Sequence, residues 1–249
     1  MRFMLRSKPR VIVTRPAEQQ SGLVALLDQN GFEPIPVPML QIERLPELPL
    51  PDLTGFDTLV FISTNAVSAW EQAATAQPVK ISSTVRVFGV GHQTVKALAH
   101  IGMSATTPTV MTTEGLLNEP WFQQKRSVLI VKGEGGRITL QQTLQEQGSV
   151  VDTWSGYQRM GPSEEAQRRL AQLLTEGVDA MLVQSGEALA HAIDSAGPLL
   201  AHLILVVPSE RVALQTQGLT CRVVVAPSAL DSDMVAALNQ AMEQQEIQQ

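Results

Sequence analysis

The chain has 249 residues, of which 44% are hydrophobic and 17% charged, and a formal net charge of −6. That balance belongs to a globular protein with enough length for two modest domains, and its acidity argues against a broad surface for nucleic acid or anionic membrane. One cysteine, Cys221, excludes an internal disulfide and suits a reducing compartment, and no apolar run approaches a bilayer span.

Residues up to about Lys8 read as a frayed leader, because Pro9 and scattered Arg/Lys interrupt any signal-peptide core. The protein is therefore expected in the cytoplasm. Arg10–Thr14 is predicted as the first strand, and Arg15-Pro16 turns it into a helix with Leu23, Leu26 and Leu27 on its buried face. Gly31 ends that helix and Phe32–Val37 is the next strand. Proline-rich sequence from Pro38 to Pro51 is a first linker candidate. Leu59–Ile62 is a buried strand that stops at Ser63-Thr64-Asn65, three good helix-opening residues. A helix follows, then a strand Val85–Val90, a helix opened by Gly91-His92-Gln93-Thr94, a short strand Met103–Thr106 and a helix from Thr112 towards Trp121. Val128–Val131 is a strong strand, Lys132 to Arg137 a glycine-rich turn, and Val150–Trp154 the next strand after a helix. Ser155 to Pro162 is the second linker candidate, and βα units continue from Ser163 to a Gln/Glu-rich tail, Met242–Gln249, expected to fray.

The chain says much of this twice. Asp57 pairs with Asp179 and Ser63 with Ser185, each pair 122 positions apart by subtraction. Val11–Val37 likewise matches Val128–Trp154 as strand, Arg-bearing turn, helix, glycine and strand. The pattern is an internal duplication of α/β type, giving two doubly wound parallel-sheet domains joined by a two-stranded linker. The first three elements cannot bury a core alone, so they should fold with the end of the chain. The expected division is a discontinuous domain, 1–37 with 162–249, and an inserted domain, 40–157, with linkers near 38–40 and 156–161 and a cleft between.

Ligands of such sheets sit at the carboxyl ends of the strands. Those ends carry Thr14-Arg15, Ser63-Thr64-Asn65, Gly91 to Thr94, Lys132 to Arg137, Ser185-Gly186 and Pro208-Ser209. The inventory is hydroxyls, helix starts and a few cations, suited to carboxylates or other anions. It lacks metal-ligand spacing and any spacing that supports a Cys–His or Ser–His–Asp set. The run Lys132-Gly133-Glu134-Gly135-Gly136-Arg137 misses the ending of a P-loop and the glycine spacing of a dinucleotide turn, so Arg137 is either an anion contact or a solvated charge. Tyr157, the only tyrosine, falls in a linker, where it either packs for area or donates a proton into the cleft.

The chain resembles the uroporphyrinogen-III synthase family from Val11 to Leu238. The resemblance rests on Thr14-Arg15-Pro16, Asp57 with Phe61 to Val67, Gly89-Val90-Gly91 with Thr94, Glu114 to Leu117, Gly133 with Gly136-Arg137, Tyr157, Ser185 and Pro208-Ser209. Lys132 stands where the pattern has arginine, and Gln184 where a hydroxyl residue is common. The resemblance implies two α/β domains joined by a two-stranded ladder, and cyclisation of the linear tetrapyrrole hydroxymethylbilane to uroporphyrinogen III with loss of water and inversion of the terminal ring. It implies no metal and no organic cofactor, Tyr157 as the residue assisting departure of the hydroxyl, and carboxylate contacts at Arg15, Ser63, Thr64, Asn65, Thr94, Arg137, Ser185 and Ser209. The expected state is a monomer with no nucleic-acid or membrane partner. The competing expectation is a non-catalytic two-lobed cytoplasmic sensor for an anionic ligand.

Overall fold

The computed structural model describes residues 8–45, 49–136 and 138–247. The chain divides into two compact units. Met1–Gln41 with Met160–Gln249 is the split unit, and Ile42–Arg159 is the continuous unit.

In chain order the elements are β1 (Arg10–Val13), α1 (Ser21–Gln29), β2 (Glu33–Pro36), β3 (Gln41–Arg44), β4 (Thr58–Phe61), α2 (Thr64–Ala76), β5 (Arg86–Gly89) and α3 (His92–His100). They continue with α4 (Thr113–Leu117), β6 (Ser127–Gly133), α5 (Thr139–Glu146), β7 (Val150–Met160), α6 (Glu164–Glu176), β8 (Ala180–Leu182) and α7 (Gly186–Ala196). The chain closes with β9 (Ile204–Val207), α8 (Glu210–Ala213), β10 (Arg222–Val225) and α9 (Asp231–Ile247). Each unit holds a five-stranded sheet, β10-β9-β8-β1-β2 in the split unit and β3-β7-β6-β4-β5 in the continuous one. The pairs β1·β2, β1·β8, β8·β9, β9·β10, β4·β5, β4·β6 and β6·β7 are all parallel.

Parallel strands are covered on both faces, which is why their sequences are almost wholly apolar. Alternate side chains supply the two cores. In β4, Leu59 and Phe61 pack with Trp70, Leu98 and Trp154, whereas Val60 packs on the other face with Leu116, Phe122 and Leu144. In β8, Met181 joins Leu170, Leu173 and Leu189, whereas Ala180 and Leu182 join Leu23, Leu27 and Leu238. Trp70 stands edge-on to Phe61 and to Trp154, with ring centroids 5.5 and 5.7 Å apart. On the continuous unit, Trp121 lies between two guanidinium groups, Arg86 at 4.0 Å and Arg126 at 3.5 Å, and its indole N–H donates to Thr58 Oγ1 at 2.9 Å.

The duplication holds at the level of hydrogen bonds. The backbone N–H of Asp57 donates to Ser127 O at 3.0 Å, and its carboxylate accepts from Ser127 N at 3.3 Å. Asp179 does the same with Arg10, at 3.0 and 2.7 Å. Each aspartate therefore ties the entrance of its strand to the strand beside it. At the exits, Ser63 Oγ accepts from Ala66 N at 3.1 Å and Ser185 Oγ accepts from Ala188 N at 3.2 Å, capping α2 and α7 alike. The registers agree too: Val13 lies opposite Pro36 in one unit and Ile130 opposite Thr153 in the other.

Several elements differ from the sequence expectation. Met103–Thr106 makes only an isolated bridge, Phe88 to Thr106, whereas Arg222–Val225 in the other unit is a full strand. The helix expected from Thr112 to Trp121 stops at Leu117 and resumes as a short 3-10 turn, Pro120–Gln123, because Pro120 has no N–H to continue it. The segment after Pro208 is broken in the same way, into α8 and a 3-10 turn, Leu214–Thr216. Pro16 precedes a 3-10 turn, Ala17–Gln19, and the α-helix itself begins at Ser21. Both linker candidates contain strand, β3 in the first and the second half of β7 in the second. Residues 46–48 of the first linker lie outside the described residues. Helix α9 reaches Ile247, through most of the tail expected to fray. The leader lies outside the described residues up to residue 7, and Lys8 pairs with Asp28 at 2.9 Å.

Two consequences are measurable. Trp70 is 2% exposed and holds two aromatic partners, so Trp70→Ala should lower unfolding free energy by about 3–5 kcal/mol in chemical denaturation. Burial pushes the half-buried Cys221 thiol above its ordinary value, partly opposed by a backbone hydrogen bond. The folded thiol should therefore alkylate more slowly with iodoacetamide at mildly alkaline pH than the urea-unfolded chain. Its contribution to stability is full below the unfolded thiol value and is lost as pH rises through the folded one.

Candidate functional site

In the continuous unit the chain leaves β4 towards β5 on one side and leaves β6 towards β7 on the other. Between these two neighbours the sheet has its topological switch point, where the loops diverge and a crevice opens at the strand ends. A pocket of about 340 Å³ lies there. Its apolar surface comes from Ile62, Ile130 and Leu140, and its polar surface from Thr113, Lys132, Glu134, Gln141, Thr153, Tyr157 and Arg159, so among the described residues two cations and one carboxylate share the wall.

Tyr157 reaches this pocket through a break in register. Lys132 lies opposite Ser155 but Gly133 lies opposite Tyr157, so Gly156 is an extra residue on β7. Strict alternation would put Trp154 and Tyr157 on opposite faces of the sheet. The bulge brings both into one cluster with Phe61 and Trp70. Only glycine fits at 156, because a Cβ there would come within 2.3 Å of the Trp154 ring and 2.9 Å of Ala69 Cβ. Glycine is equally required at 133, where a Cβ would lie 2.6 Å from Tyr157 Cζ. Beyond it, Gly135 and Gly136 adopt positive φ, 68° and 76°, so the turn after β6 folds back in a conformation few other residues accept.

The result is a tyrosine 3% exposed, ring clamped over Gly133, with its hydroxyl 3.0 Å from Ser63 Oγ. Its own carbonyl accepts from Glu134 N at 2.6 Å, which closes the turn over β7. The structure thus brings together Ser63, Tyr157 and the glycine-rich turn. Thr64 and Asn65 form the first turn of α2 beside them. Arg137 lies outside the described residues.

The remaining expected residues are placed as follows. Thr94, in the first turn of α3, is 5% exposed and packs against Gly89. His92 opens the same helix and is exposed. In the split unit, Arg15 is ion-paired with Asp231 at 2.6 Å. Ser185 caps α7, whereas Ser209 precedes the short α8 without a side-chain cap. Gln184, beside Ser185, has both amide atoms buried with no hydrogen-bond partner. Among the described residues no group of three or more His, Cys, Asp or Glu is arranged to hold a metal ion, and no helix is long and apolar enough to cross a membrane. Sequence reasoning does not single out Thr113, Gln141, Thr153 or Arg159, because they are scattered over α4, α5 and β7 and share no spacing. Lys132 belongs by sequence to a turn without a P-loop ending, yet it lines the pocket.

A family model described as "Uroporphyrinogen-III synthase HemD" matches residues 21–236. A uroporphyrinogen-III synthase of Chlorobaculum parvum is 27% identical over 173 residues, spanning 67% of this chain and 70% of that protein. One of Salmonella typhimurium is 28% identical over 188 residues, spanning 72% and 76%. Among solved structures, a mutant uroporphyrinogen III synthase of Thermus thermophilus superposes with a TM-score of 0.63 at 20% identity, covering 95% of this chain and 99% of that one. The Helicobacter pylori uroporphyrinogen-III synthetase gives 0.60 at 17% identity, covering 94% and 99%. At these identities the structural likeness establishes the two-domain α/β fold.

The clamp on Tyr157 can be tested without substrate. Gly133→Ala would ordinarily help a strand, but here it should cost about 1–3 kcal/mol in denaturant unfolding. In a Tyr157→Ala background, with the ring removed, most of that penalty should disappear. Equal penalties in the two backgrounds would show that Gly133 does not hold the ring.

Proposed function

Since this chain belongs to the uroporphyrinogen-III synthase family, lyases of tetrapyrrole and heme biosynthesis, we propose that its substrate is hydroxymethylbilane and that Tyr157, in the pocket of the continuous unit, assists loss of the substrate hydroxyl. The observation that carries this reading is a buried phenol, fixed by Ser63 and Gly133, on the wall of a pocket at the switch point.

The chemistry needs little more than an acid and a template. As the C–O bond of the terminal hydroxymethyl group breaks, its electron pair stays with oxygen. The Tyr157 proton passes to that oxygen, and water leaves. The pyrrole nitrogen lone pair fills the vacancy at carbon, so a neutral pair becomes an azafulvenium cation and a tyrosinate. Attack by the substituted carbon of the last ring gives a spiro intermediate, whose rearrangement delivers that ring inverted. A proton lost as the pyrroles regain aromaticity returns to tyrosinate. Holding the last ring so that the substituted carbon attacks is catalysis by orientation, which can supply about 7–11 kcal/mol.

The pocket volume is near the lower end of the usual range for ligand sites, about 300–1,000 Å³, and suits one substituted pyrrole rather than a whole tetrapyrrole. Its apolar wall matches the ring, and Lys132 and Arg159 together outweigh Glu134 on the wall, which suits a carboxylate substituent. Thr64 and Asn65, in the first turn of α2, lie at the positive end of that helix, which favours another carboxylate. Arg15, Ser185 and Ser209 are the corresponding contacts proposed in the split unit, and Thr94 and Arg137 are proposed contacts within the continuous unit's stretch of sequence. The protein is proposed to act as a cytoplasmic monomer.

Freshly made hydroxymethylbilane given to the purified protein without added metal should yield type III uroporphyrinogen well above the spontaneous type I background, as read by isomer chromatography. Only type I from folded protein would leave the sensor reading standing. Tyr157→Phe should slow initial cyclisation by roughly 10²-fold or more while keeping type III as the enzymic product, because orientation survives when the proton is lost. An undiminished rate would remove Tyr157 as the acid.

A further inference from the structure

The Ser63 side chain meets the hydroxyl of Tyr157, which lines the pocket, and its own hydrogen-bonding capacity is nearly accounted for. A serine hydroxyl has one proton and two lone pairs. One lone pair of Ser63 Oγ accepts from Ala66 N at 3.1 Å, which caps α2. The 3.0 Å contact with Tyr157 Oη can then run in either direction. If tyrosine donates, Ser63 Oγ accepts twice and the tyrosine proton is engaged away from the substrate. If serine donates, Ser63 accepts from Ala66 and donates to Tyr157, and the tyrosine proton is left for the pocket.

We propose that Ser63 is a positioning residue that donates its hydroxyl proton to Tyr157 Oη, turning the tyrosine proton towards the substrate hydroxyl and holding the tyrosinate that remains. The proposal rests on the reading of Tyr157 as the acid. It gives Ser63 a different task from carboxylate binding. Before proton transfer the contact is an ordinary neutral hydrogen bond. After transfer the acceptor is an anion, and hydrogen bonds to ions are markedly stronger. The donor is also fixed in advance, because the Ser63 backbone and the Ala66 N–H hold its oxygen at the start of a 13-residue helix. The positive end of that helix favours the negative charge that develops nearby. An interaction that strengthens only as the reaction proceeds raises kcat and leaves substrate binding almost unchanged.

The duplication supplies an internal contrast. Ser185 caps α7 with the same geometry, yet the residue that matches Tyr157 by the Val11-to-Val128 offset is Leu40, which has no hydroxyl. Capping therefore explains the serine in both units, and only the continuous unit couples the cap to a phenol.

The test is a set of Ser63 variants assayed for type III formation, in the native background and with Tyr157→Phe. Ser63→Ala should lower kcat roughly 10–100-fold with KM within about twofold of the parent. Ser63→Thr, which keeps the hydroxyl, should restore most of the rate. Ser63→Asp is the decisive variant: aspartate is as good a helix cap but has no proton to donate, so it should melt close to the parent temperature and still lose kcat at least as severely as alanine. In the Tyr157→Phe background, Ser63→Ala should have no further effect on kcat. Full activity of Ser63→Asp, or losses that multiply in the double variant, would overturn the role of Ser63 while leaving Tyr157 as the acid. Full activity of Tyr157→Phe alone would overturn both.

Discussion

A parallel sheet covered on both faces confines polar groups to its two ends, and that constraint organises each unit of this protein. Every strand side chain in the middle of β4 or β8 is buried, so neither face can present a reactive group to solvent. What remains are the entrances and exits of the strands. At the entrances Asp57 and Asp179 use their carboxylates to tie neighbouring strands together. At the exits Ser63 and Ser185 satisfy helix N–H groups that would otherwise be unpaired. Chemistry is thus left to the exits, where hydroxyls and free backbone donors collect for structural reasons and are available for use.

The same constraint explains what was legible in the sequence. Apolar runs such as Leu59 to Ile62 and Val128 to Val131 announce buried strands. Serine or threonine directly after such a run announces a helix start, and the structure has caps at Ser63, Thr112, Ser163 and Ser185. The α/β class and the duplication followed from those signals. Less legible were elements decided by tertiary contacts. Ser155 to Met160 reads as irregular because glycine and polar residues interrupt it, yet it continues β7, whose pairing with β6 persists past the bulge as far as Tyr157. Met103–Thr106 and Arg222–Val225 occupy matching places, and only the second has a partner strand along its length. Local sequence carries no mark of that difference.

The candidate site was legible in its residue types more than in their arrangement. Ser63 and Tyr157 are 94 residues apart, and nothing in either segment states that one hydroxyl lies on the other. Their meeting depends on three features that act together. The switch point sets β4 beside β6, the bulge at Gly156 turns Tyr157 to the Trp154 face, and Gly133 leaves room for the ring. Thr94, at the start of α3, packs against Gly89 and is buried to nearly the same degree as Tyr157, 5% against 3% exposed, so burial alone does not separate a proposed contact from the proposed acid.

The glycine-rich turn after β6 gains a different meaning from this arrangement. By sequence alone, Gly133, Gly135 and Gly136 belong to an anion-friendly helix start with Arg137 in its first turn, and to nothing more specific. In the structure each answers to its own steric demand. Gly133 is small because an aromatic ring lies where its Cβ would be. Gly135 and Gly136 are needed for positive φ, which reverses the chain beside the pocket. Gly156, across β7, is small because Trp154 and Ala69 leave no space. Gly133 and Gly156 are therefore explained by how the Tyr157 and Trp154 rings pack, and Gly135 and Gly136 by backbone conformation, independently of any anion the turn holds. On the proposed reading of Tyr157 as the acid, a rigid phenol matters for a substrate that can close without help, because water would be released only when the last ring is already placed for attack at its substituted carbon.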